Sequence, residues 1–277
     1  MSNCNTCPSN NSCNKNKKEC NIENNPRNKI KNVIGVMSGK GGVGKSTISV
    51  LIAKELKSLG YKVGILDADI TGPSIPRLLG LKDKKATMSI DKEILPVETK
   101  DGIKVISLNL MIDNEDDPVI WRGPIVSSAV KQFWTDVLWG ELDYLIIDMP
   151  PGTGDVALTV MQFIPISGLV MVSIPQDLVS MIVAKAVKMA RTSDVKVIGI
   201  VENMSYIVCP DCNKKIKLFN GENIDNFLKE MDLELLGELP MIASISNLER
   251  EHEEVPKEIE ESLKEIVIKI EKSLDNK

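Results

Sequence analysis

Histidine is all but missing from this chain. His252 is the only one in 277 residues, so Ser-His-Asp or Cys-His catalysis and histidine-bound zinc are poorly supplied. It sits in Glu249-Arg250-Glu251-His252-Glu253-Glu254, a run that reads as a solvated charged face. No apolar stretch reaches the roughly 18 residues of a membrane span, and the polar start Met1-Ser2-Asn3-Cys4-Asn5 lacks the apolar segment of a secretion signal. Excess positive charge is also wanting. The 34 Lys and Arg face 39 Asp and Glu, for a net charge of -5, which argues against a broad nucleic-acid-binding face. These absences point to a cytoplasmic protein with neither nucleic acid nor membrane as partner. Thiols stay reduced there, and cysteines serve as ligands more readily than as disulfides.

Between Cys20 and Cys209 there is no cysteine at all. The six instead form two groups, Cys4, Cys7, Cys13 and Cys20 near the start and Cys209 with Cys212 far downstream, a clustering expected of ligand sets. Residues 1–30 are rich in asparagine and lysine and, apart from Met1, Ile22 and Ile30, offer no aliphatic or aromatic side chain to a core. Without metal this segment reads as a tail. Residues 31–277 suit one large α/β domain, since the chain is 43% hydrophobic and 26% charged and two full domains of that length would be tight.

What the chain does contain is Gly39-Lys40-Gly41-Gly42-Val43-Gly44-Lys45-Ser46-Thr47, a complete G-x-x-x-x-G-K-[ST] phosphate loop with a second lysine directly after its first glycine. The inner glycines let successive backbone N–H groups turn toward the α- and β-phosphates of a nucleotide. Lys45 reaches the β/γ oxygens, Ser46 can ligate Mg²⁺, and a helix starting near Lys45 adds its positive end. The context fits, because Lys31 to Met37 reads as a buried strand and Ile48, Leu51, Ile52 and Leu56 follow at helical spacing until Gly60.

Further strands are expected at Lys62 to Asp67, Tyr144 to Asp148, Leu169 to Ile174, Val195 to Val201 and Leu233 to Leu239. Helices are expected at Pro124 to Leu138, Val156 to Phe163 and Leu178 to Arg191. This alternation implies a doubly wound, mostly parallel sheet with helices on both faces, the α/β fold of P-loop NTPases. Ile94 to Val97 and Ile103 to Leu108, split by Lys100-Asp101-Gly102, read as a hairpin extension. A last helix over Lys257 to Leu274 sets Ile259, Leu263, Ile266, Val267, Ile270 and Leu274 on one stripe. Its charges are mixed rather than basic, which favours docking on the core over binding to lipid.

Two carboxylates, Asp67 and Asp69, end the second strand, where ligands bind in open α/β sheets. Asp69 is assigned the ordering of a water for in-line attack on the γ-phosphate; capping a helix is the structural alternative for either residue. The run from Asp143 to Asp155 is an apolar strand ending in Asp148 and followed by Met149-Pro150-Pro151-Gly152-Thr153-Gly154. Asp148 is expected to support Mg²⁺, with the following loop as a nucleotide-sensing switch.

These three motifs resemble those of the deviant-Walker-A ATPases of the MinD, ParA and nitrogenase-reductase group, whose signature lysine Lys40 matches. The resemblance implies an ATP-sandwiched homodimer in which Lys40 stabilises transition-state charge at the partner's nucleotide. Within that group, Trp121-Arg122-Gly123-Pro124, Glu202-Asn203-Met204-Ser205 and Cys209-Pro210-Asp211-Cys212 resemble the Mrp family of iron-sulfur cluster carriers. That likeness implies that Asn203 contacts the adenine and that Cys209 and Cys212 of two subunits together bind a [4Fe-4S] cluster for transfer to apo iron-sulfur proteins. A lone C-x-x-C supplies two thiolates where a cluster needs four, and two-fold symmetry supplies the other pair. A shared zinc knuckle and a redox dithiol remain alternatives for these cysteines.

Cys4, Cys7 and Cys13 resemble three ligands of the N-terminal cluster site in eukaryotic cytosolic scaffold ATPases; Cys20 is the candidate fourth, displaced to follow the trio. A cluster, zinc or disorder are the readings for this segment. The overall expectation is an ATP-binding, slowly hydrolysing carrier, with a MinD/ParA-type positioning ATPase and an electron-donating reductase as competing functions.

Overall fold

A computed structural model describes residues 23–70, 72–112, 123–176, 181–209, 211–217, 224–242 and 255–275. Its centre is a nine-stranded sheet. The strands are β1 (Lys29–Ser38), β2 (Val63–Asp67), β5 (Val97–Glu98), β6 (Lys104–Ile106), β7 (Glu141–Asp148), β8 (Gly168–Ser173), β9 (Val197–Val208), β10 (Lys215–Lys217) and β11 (Leu235–Pro240). Their order is β10-β9-β8-β1-β7-β2-β6-β5, with β11 also paired to β9. β1 runs parallel to both β7 and β8, β2 to β7 and β6, and β9 to β8 and β11. Only β5 and β10 join antiparallel.

Both faces are covered, which explains why β2 and β8 are buried at every position rather than alternating. On one face α3 (Gly123–Thr135), α4 (Asp155–Phe163), α5 (Met181–Thr192) and α6 (Ile224–Glu230) share a core that includes Val130, Phe133, Val160, Ala186 and Phe227. On the other, α1 (Lys45–Ser58), the single turn α2 (Ile75–Leu78) and the final helix α7 (Lys257–Asp275) pack around Ile48, Leu51, Ile75, Leu263 and Ile270. The stripe Ile259, Leu263, Ile266, Val267, Ile270 and Leu274 of α7 is buried as expected, each side chain contributing about 1.5–3 kcal/mol of apolar transfer. No helix among the described residues is long and apolar enough to cross a membrane.

Three local readings change. The expected hairpin is shorter and divided: β5 and β6 pair through a turn closed by Gly102 N–H on Thr99 O, 2.9 Å, and β6 joins the main sheet beside β2. Ile94–Leu95 (β4) turns away instead to pair with Thr87–Met88 (β3), because Pro96 has no N–H with which to continue a ladder. The strand expected to stop at Val201 runs on to Val208, carrying the polar Glu202 and Asn203 within the sheet. Finally, the third helix ends at Thr135, and Val137 instead makes an isolated bridge to Ile94. Of the expected helix from Leu178, residues 178–180 lie outside the described residues.

Candidate functional site

The phosphate loop occupies the turn between β1 and α1. Gly42 and Gly44 have φ of 81° and 83°, the left-handed region where a side chain is strained. Gly44 has a second reason to lack a Cβ, since one would stand 2.3 Å from Asn203 Nδ2. That amide donates to Val43 O at 3.0 Å, so β9 props the loop from below. From the other side the Pro/Gly-rich loop after β7 closes on it, with Gly152 N–H donating to Ser38 O at 2.8 Å.

Asp148, fully buried at the end of β7, is the hub. Its Oδ2 accepts from Lys45 Nζ at 2.8 Å and from the Ser46 hydroxyl at 2.6 Å, and its Oδ1 accepts from the Ser49 hydroxyl at 2.7 Å. Lys45 is also 3.5 Å from Asp69 Oδ2. Asp67 stands opposite Asp148 in the β2–β7 register, accepting from the Ser107 hydroxyl at 3.0 Å and from the Asp69 N–H at 3.1 Å. Burial, then the facing Asp148, push the Asp67 carboxyl well above its ordinary range, against the pull of Lys45 and Ser107. Asp67, Asp69, Asp148 and one buried ammonium therefore lie at the mouth of the loop; the carboxyl groups by themselves make no metal site, and a cation there would take further ligands from polyphosphate oxygens.

The two lysines of the motif differ sharply. Lys45 is 6% exposed and held by carboxylates, whereas Lys40 lies on the surface. Close to Lys40, Ile182 of α5 packs against Gly39, yet Ile182 and Met181 are 46% and 70% exposed. Thr47 is half-buried in the first turn of α1, and the Gly41 position is open. Asn203 Oδ1 is buried without a hydrogen-bond partner among the described residues.

Cys209 follows the last residue of β9. Its N–H donates to Lys214 O at 3.0 Å and its carbonyl accepts from Asn213 N–H at 2.9 Å, forming a tight loop that carries Cys212 into solvent. The backbone N–H of Cys212, then that of Asp211, and the Cys212 thiol hold the Cys209 thiol below its ordinary range, which favours the thiolate that binds metal. Cys4, Cys7, Cys13 and Cys20 lie outside the described residues, as do Trp121, Arg122 and His252. Among the described residues no group of three or more His, Cys, Asp or Glu could hold a metal ion.

Sequence reasoning passed over Ser49 and Ser107, the hydroxyls that hold Asp148 and Asp67. Ser49 carried a signal, as a buried polar residue among the aliphatic side chains of α1. Ser107 carried none, because its role depends on β6 lying beside β2.

A strand-loop-helix phosphate cradle in a mostly parallel sheet, with a buried acidic strand end facing its lysine, defines a P-loop NTPase. Solved structures agree on the fold: MinD, a cell division ATPase from Pyrococcus furiosus, superimposes with a TM-score of 0.63 at 18% identity, covering 87% of this chain and 98% of that one. A nucleotide-binding protein from Archaeoglobus fulgidus, solved in complex with ADP, gives a TM-score of 0.70 at 42% identity, covering 79% and 86%. Residues 29–274 match the family described as ParA: NUBPL iron-transfer P-loop NTPase, and the chain belongs to that family. Its relatives include the iron-sulfur cluster carrier protein of Clostridium perfringens, 56% identical over 218 residues that make up 76% of each chain. The carrier protein of Methanocaldococcus jannaschii is 48% identical over 244 residues, 86% of this chain and 83% of that one.

Proposed function

We propose that this protein is an ATP-hydrolysing carrier that binds a [4Fe-4S] cluster through Cys209 and Cys212 and passes it to apo iron-sulfur proteins. The observation that carries the reading is the course of β9. One strand puts Asn203 against the phosphate loop and, six positions on, presents Cys209 and Cys212 with a thiol already biased toward thiolate. Two thiols are half of a cluster's usual ligand set, so the carrier is a homodimer with the cluster shared across its two-fold axis. The exposed pair Met181 and Ile182 beside Lys40 supports a subunit contact at this rim.

In the nucleotide site, Gly39 to Thr47 bind the phosphates, and Ser46 with Asp148 would hold Mg²⁺, which supplies charge neutralisation at the β- and γ-oxygens. Lys45, now bridging Asp148 and Asp69, neutralises charge within its own subunit. Asp69 orients the attacking water, Lys40 serves the partner's nucleotide, and the unanswered Asn203 Oδ1 is an acceptor for the adenine amino group. Cys4, Cys7, Cys13 and Cys20 are candidate ligands for a second cluster or for zinc, with a metal-free tail as the other reading.

Anaerobic reconstitution tests the proposal. Wild-type protein is expected to turn brown and to contain iron and sulfide in equal amounts, with about one cluster per dimer that a Cys209→Ser/Cys212→Ser variant loses. Colourless protein holding stoichiometric zinc, or full cluster content in a Cys209→Ser/Cys212→Ser variant, sinks it.

A further inference from the structure

Glu202 is a buried acid that the nucleotide chemistry does not use. It is 1% exposed in β9. The Ser205 hydroxyl donates to its Oε2 at 2.8 Å, while Oε1 is buried with no partner among the described residues. Directly opposite, in the register of β9 with β11, stands Glu238, and Glu238 Oε1 is 2.9 Å from Lys217 Nζ on β10. Three adjacent strands thus meet through three ionisable side chains at the base of the loop bearing the cysteines. The backbone is irregular at the same place, with Met204 at a φ of 55° and a slip in the β9–β11 register between Glu238 and Pro240. β10 is exposed at all three positions; it pairs antiparallel with β9 from Tyr206 to Val208, and Lys215 lies over the Tyr206 ring.

We propose that Glu202, Glu238 and Lys217 form a three-strand clamp that positions the Cys209–Cys212 ribbon on the sheet. What the ribbon carries rests on the function proposed above; the clamp itself does not. An ionised Glu202 would be buried with an unanswered oxygen beside a second carboxylate, a doubly unfavourable arrangement. A proton on Glu202 removes both problems and leaves Glu238 to face Lys217.

Other forces act in the same sense. Burial first, with Glu238, raises Glu202 above the ordinary carboxyl range against Ser205 and Lys217. Burial would raise Glu238 too, but Lys217, Glu202 and Ser205 outweigh it and hold Glu238 low. On the elements packed around Glu202, Glu238 of β11 and Lys217 of β10 are the charged groups that act on it. Because Glu202 is raised in the folded state, its stabilisation is complete below the unfolded carboxyl value and is lost as pH rises through the raised one.

Hydrogen-deuterium exchange on the full chain, corrected for intrinsic rates and followed across pH at residues 206–217, tests the clamp. Ribbon protection is expected to fall about tenfold as pH rises through the Glu202 titration, while β1 and β7 do not change. Glu202→Gln should keep the ribbon protected and remove the pH dependence, and Lys217→Met, at an exposed site, should lower protection at every pH. A Glu202→Gln variant with the wild-type pH course, or a Lys217→Met ribbon as protected as wild type, overturns the proposal. Should Glu202→Gln loosen β1 as well, Lys217→Met decides alone. The readout needs no cluster, so a failed reconstitution leaves this outcome intact.

Discussion

The phosphate loop and the cysteine ribbon are built in opposite ways, although one strand reaches both. Around the loop the acidic strand ends are buried and answered inside one chain: Asp148 takes three donors, Asp67 two, and Asn203 braces Val43. At the ribbon, Cys212 is exposed, β10 is three residues long and fully exposed, and the Lys217–Glu238 pair is half in water. The first site is stiff because it must hold charge in fixed places. The second is tied by a few partly solvated contacts, each worth little alone, a looseness in keeping with the carrier role proposed above. Substitutions should therefore cost fold stability at the loop and ligand binding at the ribbon.

The largest expected effect tests the exposed lysine of the loop. Lys40→Ala should slow ATP hydrolysis by about 10³-fold while ATP binding to the monomer, followed by calorimetry, stays within a few fold; unchanged turnover would refute its role across the subunit contact. Next comes Gly44→Ala, which forces a Cβ into a left-handed backbone and against Asn203 Nδ2. About 2–4 kcal/mol of stability should be lost in urea unfolding, with weaker nucleotide binding.

Ser49→Ala removes one donor from a fully buried carboxylate and should cost about 1.5–3 kcal/mol, shifting the urea midpoint without changing the slope. The smallest effect on the fold belongs to Cys209→Ser/Cys212→Ser, which should alter stability by no more than about 0.5 kcal/mol yet remove the cluster. A large melting-temperature change in this cluster-free variant would show the ribbon to be a structural part of the core, and the contrast between the two regions would fall.

Most of the site was legible in order along the chain. Gly39 to Thr47, Asp67 to Asp69, Asp148 and Cys209 with Cys212 are each contiguous patterns, and each constrains its own few residues. The alternation of buried strands with helices likewise implied a sheet covered on both faces, as observed. What escaped were partners brought from elsewhere. Ser107 holds Asp67 only because β6 lies beside β2, and Ile94 leaves its hairpin to pair with Met88. The continuation of β9 past Val201 was hidden by Glu202 and Asn203, polar residues that look like the end of a strand.

The amino-acid sequence by itself determined the nucleotide cradle, because glycine conformation, helix start and lysine reach are all local properties of nine adjacent residues. Only the tertiary structure decided that Asn203, 160 positions from Val43, braces that cradle, and that Glu202 faces Glu238, itself paired with Lys217, across three strands. Those contacts follow from strand order and register, which depend on how whole elements bury their faces against one another rather than on any short run of residues.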